Sequence, residues 1–173
     1  MRKQIEVFYT YSSPYSYLIL DRLYDLEKAY DVRVEWQPWA AASDGAKNRE
    51  IEPERVRYIQ RDVQRIAEFL NLPIVFSPRQ YDSLSSHLGA LVAKEMGVLF
   101  EYNIKVFHRW WGEGLDPNEG DYFAGLAEEL DVDVGQFLEQ MNSHDVREHL
   151  FVYPQPNAFE FLCQVHLAYS CAT

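Results

Sequence analysis

Apolar residues follow two different rhythms along this chain. Ile5-Glu6-Val7-Phe8-Tyr9 predicts a short strand, and Val32-Arg33-Val34-Glu35-Trp36, alternating apolar with polar, predicts a second. Between them Leu18, Leu20, Leu23, Leu26 and Ala29 form a helix with a broad apolar face, and Asp31 marks its exit. A helix crossing between two strands makes a βαβ unit, so the two strands are expected to run parallel. Pro38 cannot donate to a ladder and is read as the end of the second strand.

Beyond this unit the rhythm changes. Ala40 to Glu52 is small and polar, contains Gly45 and reads as a loop. Pro53 to Leu70 then places Val56, Ile59, Val63, Ile66, Ala67 and Leu70 on one helical stripe, closed by Asn71-Leu72-Pro73. After a turn at Pro78 to Tyr81, Ser83 to Met96 predicts another helix with Gly97 as its C-terminal cap. Leu99 to about Trp111 predicts a third, ended by Gly112 and Gly114. Asp116-Pro117-Asn118 is a turn; Tyr122 to Leu130, Val134 to Met141 and Asp145 to Leu150 are shorter helices. The fold class is therefore α/β: a βαβ start (1–40), an all-helical block (41–150) inserted after the second strand, and an atypical tail (151–173). Two parallel strands alone make a poor sheet. Either the tail, extended by Pro154 and Pro156 with Asn157 to His166 as strand or short helix, supplies another strand, or the sheet is incomplete.

Ser13-Pro14-Tyr15-Ser16 stands at the junction of the first strand and the first helix. A hydroxyl followed by proline is a helix start: Ser13 at the N-cap, Pro14 at the first helical position. A strand feeding a helix N-terminus also aims unpaired backbone N–H groups at one point, which suits a thiolate or another anion. On spacing alone, Ser13 is a helix cap.

Composition narrows the classes. A chain of 173 residues fits one domain, or one with a large insertion, and 47% apolar residues suffice for a core. Aromatics reach 15%, which fits either a core packed with large residues or an aromatic-lined pocket. A net charge of -11 without a cluster of Lys and Arg argues against nucleic acid and anionic membrane surfaces as partners. No apolar run reaches membrane-spanning length, and no signal-peptide pattern follows Met1-Arg2-Lys3. Cys163 and Cys171, eight apart, match neither a redox pair nor a zinc knuckle and read as reduced thiols of a cytoplasmic protein. His144 and His149 are five apart, where a helical zinc pair needs four, so no metal site is expected; a solvated face is the reading. His87 and His108 lie on helices with no partner visible in the sequence.

Three segments together resemble the DsbA-like thioredoxin superfamily, in the branch of 2-hydroxychromene-2-carboxylate isomerase and kappa-class glutathione transferase. They are Phe8-Tyr9-Thr10-Tyr11-Ser12-Ser13-Pro14-Tyr15-Ser16-Tyr17-Leu18, Val34-Glu35-Trp36-Gln37-Pro38, and Tyr58-Ile59-Gln60-Arg61-Asp62-Val63-Gln64-Arg65 running on to Leu70-Asn71-Leu72-Pro73. The resemblance covers about residues 4 to 150 and implies a thioredoxin-like βαβ portion carrying a helical insertion. It departs at the end, where no Gly-Val-Pro-Thr-like element follows Leu150, so the C-terminal strands are expected to be missing or divergent. Pro154 or Pro156 would then stand in for the family's cis proline, with Ala158 to Val165 as a strand.

The resemblance implies a glutathione-dependent isomerase or transferase-like enzyme acting on a small aromatic-derived, conjugated acid. Ser13 would hydrogen-bond the glutathione sulfur and, with the helix N-terminus, favour thiolate over thiol. Arg55, standing where the family often has lysine, and Asn48 would also meet glutathione, while Tyr15, Trp36 and Trp39 would wall the substrate pocket. Tyr58, Asp62 and Arg65 are expected to lock the helical block to the βαβ portion. An unpaired sheet edge left by a missing strand would favour a homodimer. The alternative is a non-catalytic binding or oligomerisation module of the same fold. Dithiol exchange of the DsbA type is disfavoured, because Ser13 and Ser16 occupy both positions of the Cys-x-x-Cys pattern. An insulin-reduction assay is therefore expected to show no dithiol turnover; measurable turnover would overturn the assignment.

Overall fold

The computed structural model describes residues 3–39, 52–79, 81–152 and 167–169. Strand β1 (Lys3–Tyr9) leads to helix α1 (Pro14–Ala29) and strand β2 (Val32–Pro38). The helical block follows: α2 (Pro53–Leu70), α3 (Leu84–Glu95), α4 (Leu99–Phe107) running into a π-helical turn (His108–Gly112), then α5 (Tyr122–Glu129), α6 (Val134–Met141) and α7 (His144–Val152). A three-residue strand, β3 (Leu167–Tyr169), completes a sheet of order β2-β1-β3. β2 pairs parallel to β1 with Val7 opposite Trp36, as the βαβ reading requires, and β3 pairs antiparallel with Glu6 opposite Ala168. The loop read over Ala40 to Glu52 lies almost wholly outside the described residues, as do Asn48, Pro154, Pro156, Ala158 to Val165, Cys163 and Cys171.

One boundary agrees with the sequence reading and one differs, each for a physical reason. β2 ends at Pro38 as expected, and the next N–H, on Trp39, donates to the Tyr9 carbonyl at 2.8 Å. β2 is an edge strand, and Pro38 sits where its missing N–H would point away from β1. Two further groups on that outer edge are taken by side chains. The Val34 N–H donates to Glu27 Oε1 at 2.6 Å, and the Trp36 carbonyl accepts from Lys94 Nζ at 3.1 Å. The single helix expected from Leu99 to Trp111 instead widens at His108, where the Glu113 N–H bonds the His108 carbonyl five residues back. Periodicity of 3.6 cannot report such a turn. Gly97, read as a cap, sits at φ +76° and closes α3 with the Val98 N–H on the Ala93 carbonyl at 2.8 Å.

One continuous core runs from Val7 and Tyr9 in the sheet to Leu150 in α7. Helix α3 is its axis: Ser86 to Ala93 are all buried, and α3 packs against α4, α6, α7 and β2. Four polar groups tie the sheet layer to the helices. The hydroxyls of Tyr9 (2.9 Å) and Tyr11 both donate to the side-chain carbonyl of Asn103 on α4, and the Asn103 amide donates to the Tyr24 hydroxyl on α1 at 3.1 Å. Asn103 is fully buried. Burial pushes the phenols of Tyr9, Tyr11 and Tyr24 well above the ordinary tyrosine range, so all three stay neutral, the first two as donors to Asn103 and the third as its acceptor. His87 is buried beside the Tyr11 ring, and its Nδ1 bonds the Ser83 carbonyl at 2.6 Å.

Gly89 faces Tyr102, whose fully buried hydroxyl donates to the Ser86 carbonyl at 2.9 Å. A methyl at 89 would run into that hydroxyl, which has no room to swing away. Alanine's better helix propensity is worth up to about 1 kcal/mol, and overpacking costs about 1–3 kcal/mol. Gly89→Ala is therefore expected to lower the melting temperature; an unchanged or raised midpoint would contradict this packing.

Burial lowers the His87 imidazole from 6.5 to about 4, against the opposing pull of the Ser83 carbonyl and the Asp82 carboxylate. The unfolded chain thus takes up a proton near pH 6.5 that the native chain refuses until about 4. The corresponding stability is whole above about pH 6.5 and is lost as pH falls toward 4, by roughly 3 kcal/mol. Urea titrations across that range are expected to show this loss in the wild type, and a shallower one in His87→Gln.

Candidate functional site

The C-terminal ends of two parallel strands and the N-terminus of the helix between them meet at one place, a geometry that commonly receives ligands. β1 ends at Tyr9, and the chain turns through Thr10 to Ser13, the Ser13 N–H bonding the Thr10 carbonyl at 3.2 Å. Ser13 is the N-cap of α1, extended at φ -98° and ψ 117°, and Pro14 follows at the first helical position. The Ser13 Oγ accepts the Ser16 N–H at a long 3.4 Å, while the Ser13 carbonyl takes the same N–H at 3.1 Å. The hydroxyl is thus weakly held and half-buried, leaving capacity to donate. Thr10 Oγ1 and Ser12 Oγ bond each other at 2.9 Å on the same turn. No acidic residue lies in the first turn of this 16-residue helix, so no carboxylate there opposes its positive end.

Helix α2 closes one side. The Tyr15 hydroxyl donates to Asp62 Oδ2 at 3.0 Å, and Arg65 Nη2 donates to Asp62 Oδ1 at 2.7 Å. Arg65 first, then the Tyr15 hydroxyl, hold the Asp62 carboxyl below the usual carboxylate range. The lock between βαβ portion and helical block therefore uses Asp62 and Arg65 as expected, but its third member is Tyr15. Tyr58 is 69% exposed and takes no part, because it lies one turn nearer solvent on α2. The Tyr17 hydroxyl adds a second tie, donating to the Pro73 carbonyl at 3.1 Å.

The other candidates divide. Arg55 is exposed on the first turn of α2, seven residues before Asp62 and so on the same helix face, about 10 Å along the axis. Trp39, half-buried, follows β2 at the same sheet end as Ser13. Trp36 is a core residue: its ring stacks on Tyr24 at 4.3 Å and meets Tyr9 edge-on at 5.6 Å, leaving it 7% exposed. Its ring faces inward onto α1. His108 lies half-exposed, its Nδ1 3.2 Å from Glu113 Oε1, beside an open cavity of about 500 Å³. Lys105 and Arg109 line the same cavity, and both bond Glu129. His144 is solvated and faces Glu148 at 3.5 Å. Among the described residues no group of His, Cys, Asp or Glu is arranged to hold a metal, and no helix is long and apolar enough to cross a membrane.

The sequence reading missed Trp111, whose indole N–H donates to the Tyr11 carbonyl at 2.8 Å. It also missed Asn103, which receives the Tyr11 hydroxyl. Neither carries a sequence signal, since both lie about 100 residues from the loop they touch.

Residues 4–151 match the model of the DSBA-like thioredoxin domain. The chain belongs to that family. Among characterised relatives, the 2-hydroxychromene-2-carboxylate isomerase of Sphingobium xenophagum is 28% identical over 150 residues, spanning 83% of this chain and 76% of the relative. The solved structure of a 2-hydroxychromene-2-carboxylate isomerase superposes with a TM-score of 0.74 at 23% identity, covering 86% of this chain and 75% of the other. The cytosolic disulfide reductase DsbM from Pseudomonas aeruginosa, solved with GSH, superposes with a TM-score of 0.64 at 17% identity, covering 86% and 76%. These two superpositions establish the DsbA-like fold. Within that fold this member carries serine at 13 and 16, so no sulfur stands at the head of α1.

Proposed function

We propose that this DsbA-like protein is a glutathione-dependent isomerase of the 2-hydroxychromene-2-carboxylate isomerase type. The observation that carries the reading is the Ser13 hydroxyl: half-buried, weakly engaged, and set at a helix N-terminus with no acid in its first turn. That donor set fits a thiolate. A related isomerase aligns over 150 residues of this chain, and a neighbour of the same fold was solved with GSH.

Bound glutathione would supply a nucleophile that adds reversibly to a conjugated acid and leaves again, a net isomerisation that needs no oxidant. Ser13 would donate to the sulfur and, with the first-turn N–H groups, hold it ionised near neutral pH. Arg55 would attract the tripeptide's carboxylates from the first turn of α2, and Asn48 belongs to the segment just before that turn. The Tyr15 ring, fixed through its hydroxyl by Asp62, and Trp39 at the sheet end would flank an aromatic-derived substrate.

Capping and thiolate binding can be separated at Ser13. Ser13→Ala is expected to weaken glutathione binding about tenfold, through loss of a donor to a charged group. Its cap loss should be small, about 0.5 kcal/mol. Ser13→Asp keeps a good cap but sets a carboxylate against the sulfur, so it should match or exceed the wild-type melting midpoint while showing no saturable binding. Calorimetric titration and thermal melts read both quantities. Absence of saturable binding by the wild type at millimolar glutathione would overturn the reading in favour of a non-catalytic module.

A further inference from the structure

We propose that Trp111 is a positioning residue for the Ser13 site, setting the nucleophile-binding loop from the helical block through its indole N–H. The proposal rests on the thiolate-site reading of Ser13.

Tyr11, two residues before the cap, is fully buried and held at both ends. Its hydroxyl bonds Asn103 on α4, and its carbonyl accepts the Trp111 N–H at 2.8 Å. Its ring packs on Phe107 at 4.7 Å. Asn103, Phe107 and Trp111 are spaced by four along α4 and the π-helical turn, so one helical stripe grips the residue that enters the loop.

The π-helical turn is what lets two adjacent indoles do different jobs. Trp110 is buried against Tyr81, with ring centroids 5.5 Å apart, while Trp111 reaches the Tyr11 carbonyl. Trp111 is itself fixed: its carbonyl accepts the Val75 N–H at 2.6 Å, and its ring meets Phe76 edge-on at 6.3 Å. A widened turn spends regular helical bonding, and such turns gather at functional sites.

The geometry acts on the loop through a peptide plane. In a trans peptide the carbonyl and the following N–H point in opposite directions. Fixing the Tyr11 carbonyl toward Trp111 therefore fixes the direction of the Ser12 N–H, one residue before Ser13. The Thr10-to-Ser13 turn is otherwise closed by a single 3.2 Å backbone bond and an exposed hydroxyl pair, so without the indole the plane is free to rotate. Rotation would misplace the Ser13 hydroxyl and the first-turn N–H groups together.

Trp111→Phe keeps an aromatic ring against Phe76 and removes the N–H. Amide hydrogen exchange at Ser13, whose N–H bonds the Thr10 carbonyl, is expected to run about five- to tenfold faster than in wild type. With glutathione bound, the pH midpoint for the thiolate's ultraviolet absorbance should rise by about half a unit to one unit. Phe76→Leu, which trims packing on the same indole without touching its N–H, should lower the melting midpoint and leave both readouts at wild-type values. If Trp111→Phe does not fold, benzothienylalanine at 111 preserves the bicyclic shape without the donor and serves in its place. Unchanged exchange at Ser13 in the donor-less protein would overturn the proposal. Faster exchange in a chain whose wild type binds no glutathione would support the positioning role and dismiss the glutathione reading alone.

Discussion

A single buried carboxamide is the constraint on which the rest of the structure depends. Asn103 receives two tyrosine hydroxyls from the end of β1 and gives one hydrogen bond to Tyr24 on α1, so sheet, crossover helix and helical block meet at one fully buried side chain. Each phenol is costly to bury unless its hydrogen bond is made. A slip of α4 by even one residue would strand three hydroxyls at once. Apolar packing alone would tolerate such a slip, because Val, Leu and Phe contacts reform in many registers. The polar cluster thus selects one arrangement of the helical block, and the neutral state of the phenols keeps it in force throughout the physiological pH range.

That selection matters for the site because the loop bearing Ser13 has little internal structure of its own. Thr10 to Ser13 owes its shape to what precedes and follows it: buried Tyr11 on one side and the α1 cap on the other. The α/β unit supplies a helix N-terminus, a feature shared by countless folds. The helical block supplies the fixed placement, through Asn103, Trp111 and, from α2, the Asp62 that holds Tyr15. Family membership, established over residues 4–151, accounts for the architecture, while the serines at 13 and 16 set this chain apart from the dithiol chemistry that the same frame can host.

Much of this architecture is legible in the sequence because it is local. The parallel β1–β2 pair, α1 with its Ser13 cap, and the ends of α2 and α3 at Asn71 and Gly97 all follow from periodicity and capping chemistry within a few residues. What escaped is non-local or backbone-specific. The π-helical turn hides inside an apolar rhythm that continues without a break through Phe107, Trp110 and Trp111. The sequence groups Tyr58 with Asp62, and only the packing of α1 on α2 brings Tyr15 to that carboxylate instead. The resemblance makes Trp36 a pocket wall, while the structure turns its ring onto Tyr24.

The outer edge of β2 has a further meaning. Val34 N–H is taken by Glu27, the Trp36 carbonyl by Lys94, and Pro38 offers no N–H at all. Open strand edges recruit foreign strands and seed aggregation. Here an incoming strand would have to displace the Glu27 and Lys94 side chains, from α1 and α3, and would meet no donor at Pro38. Three unrelated devices in five consecutive residues thereby oppose runaway sheet growth at β2.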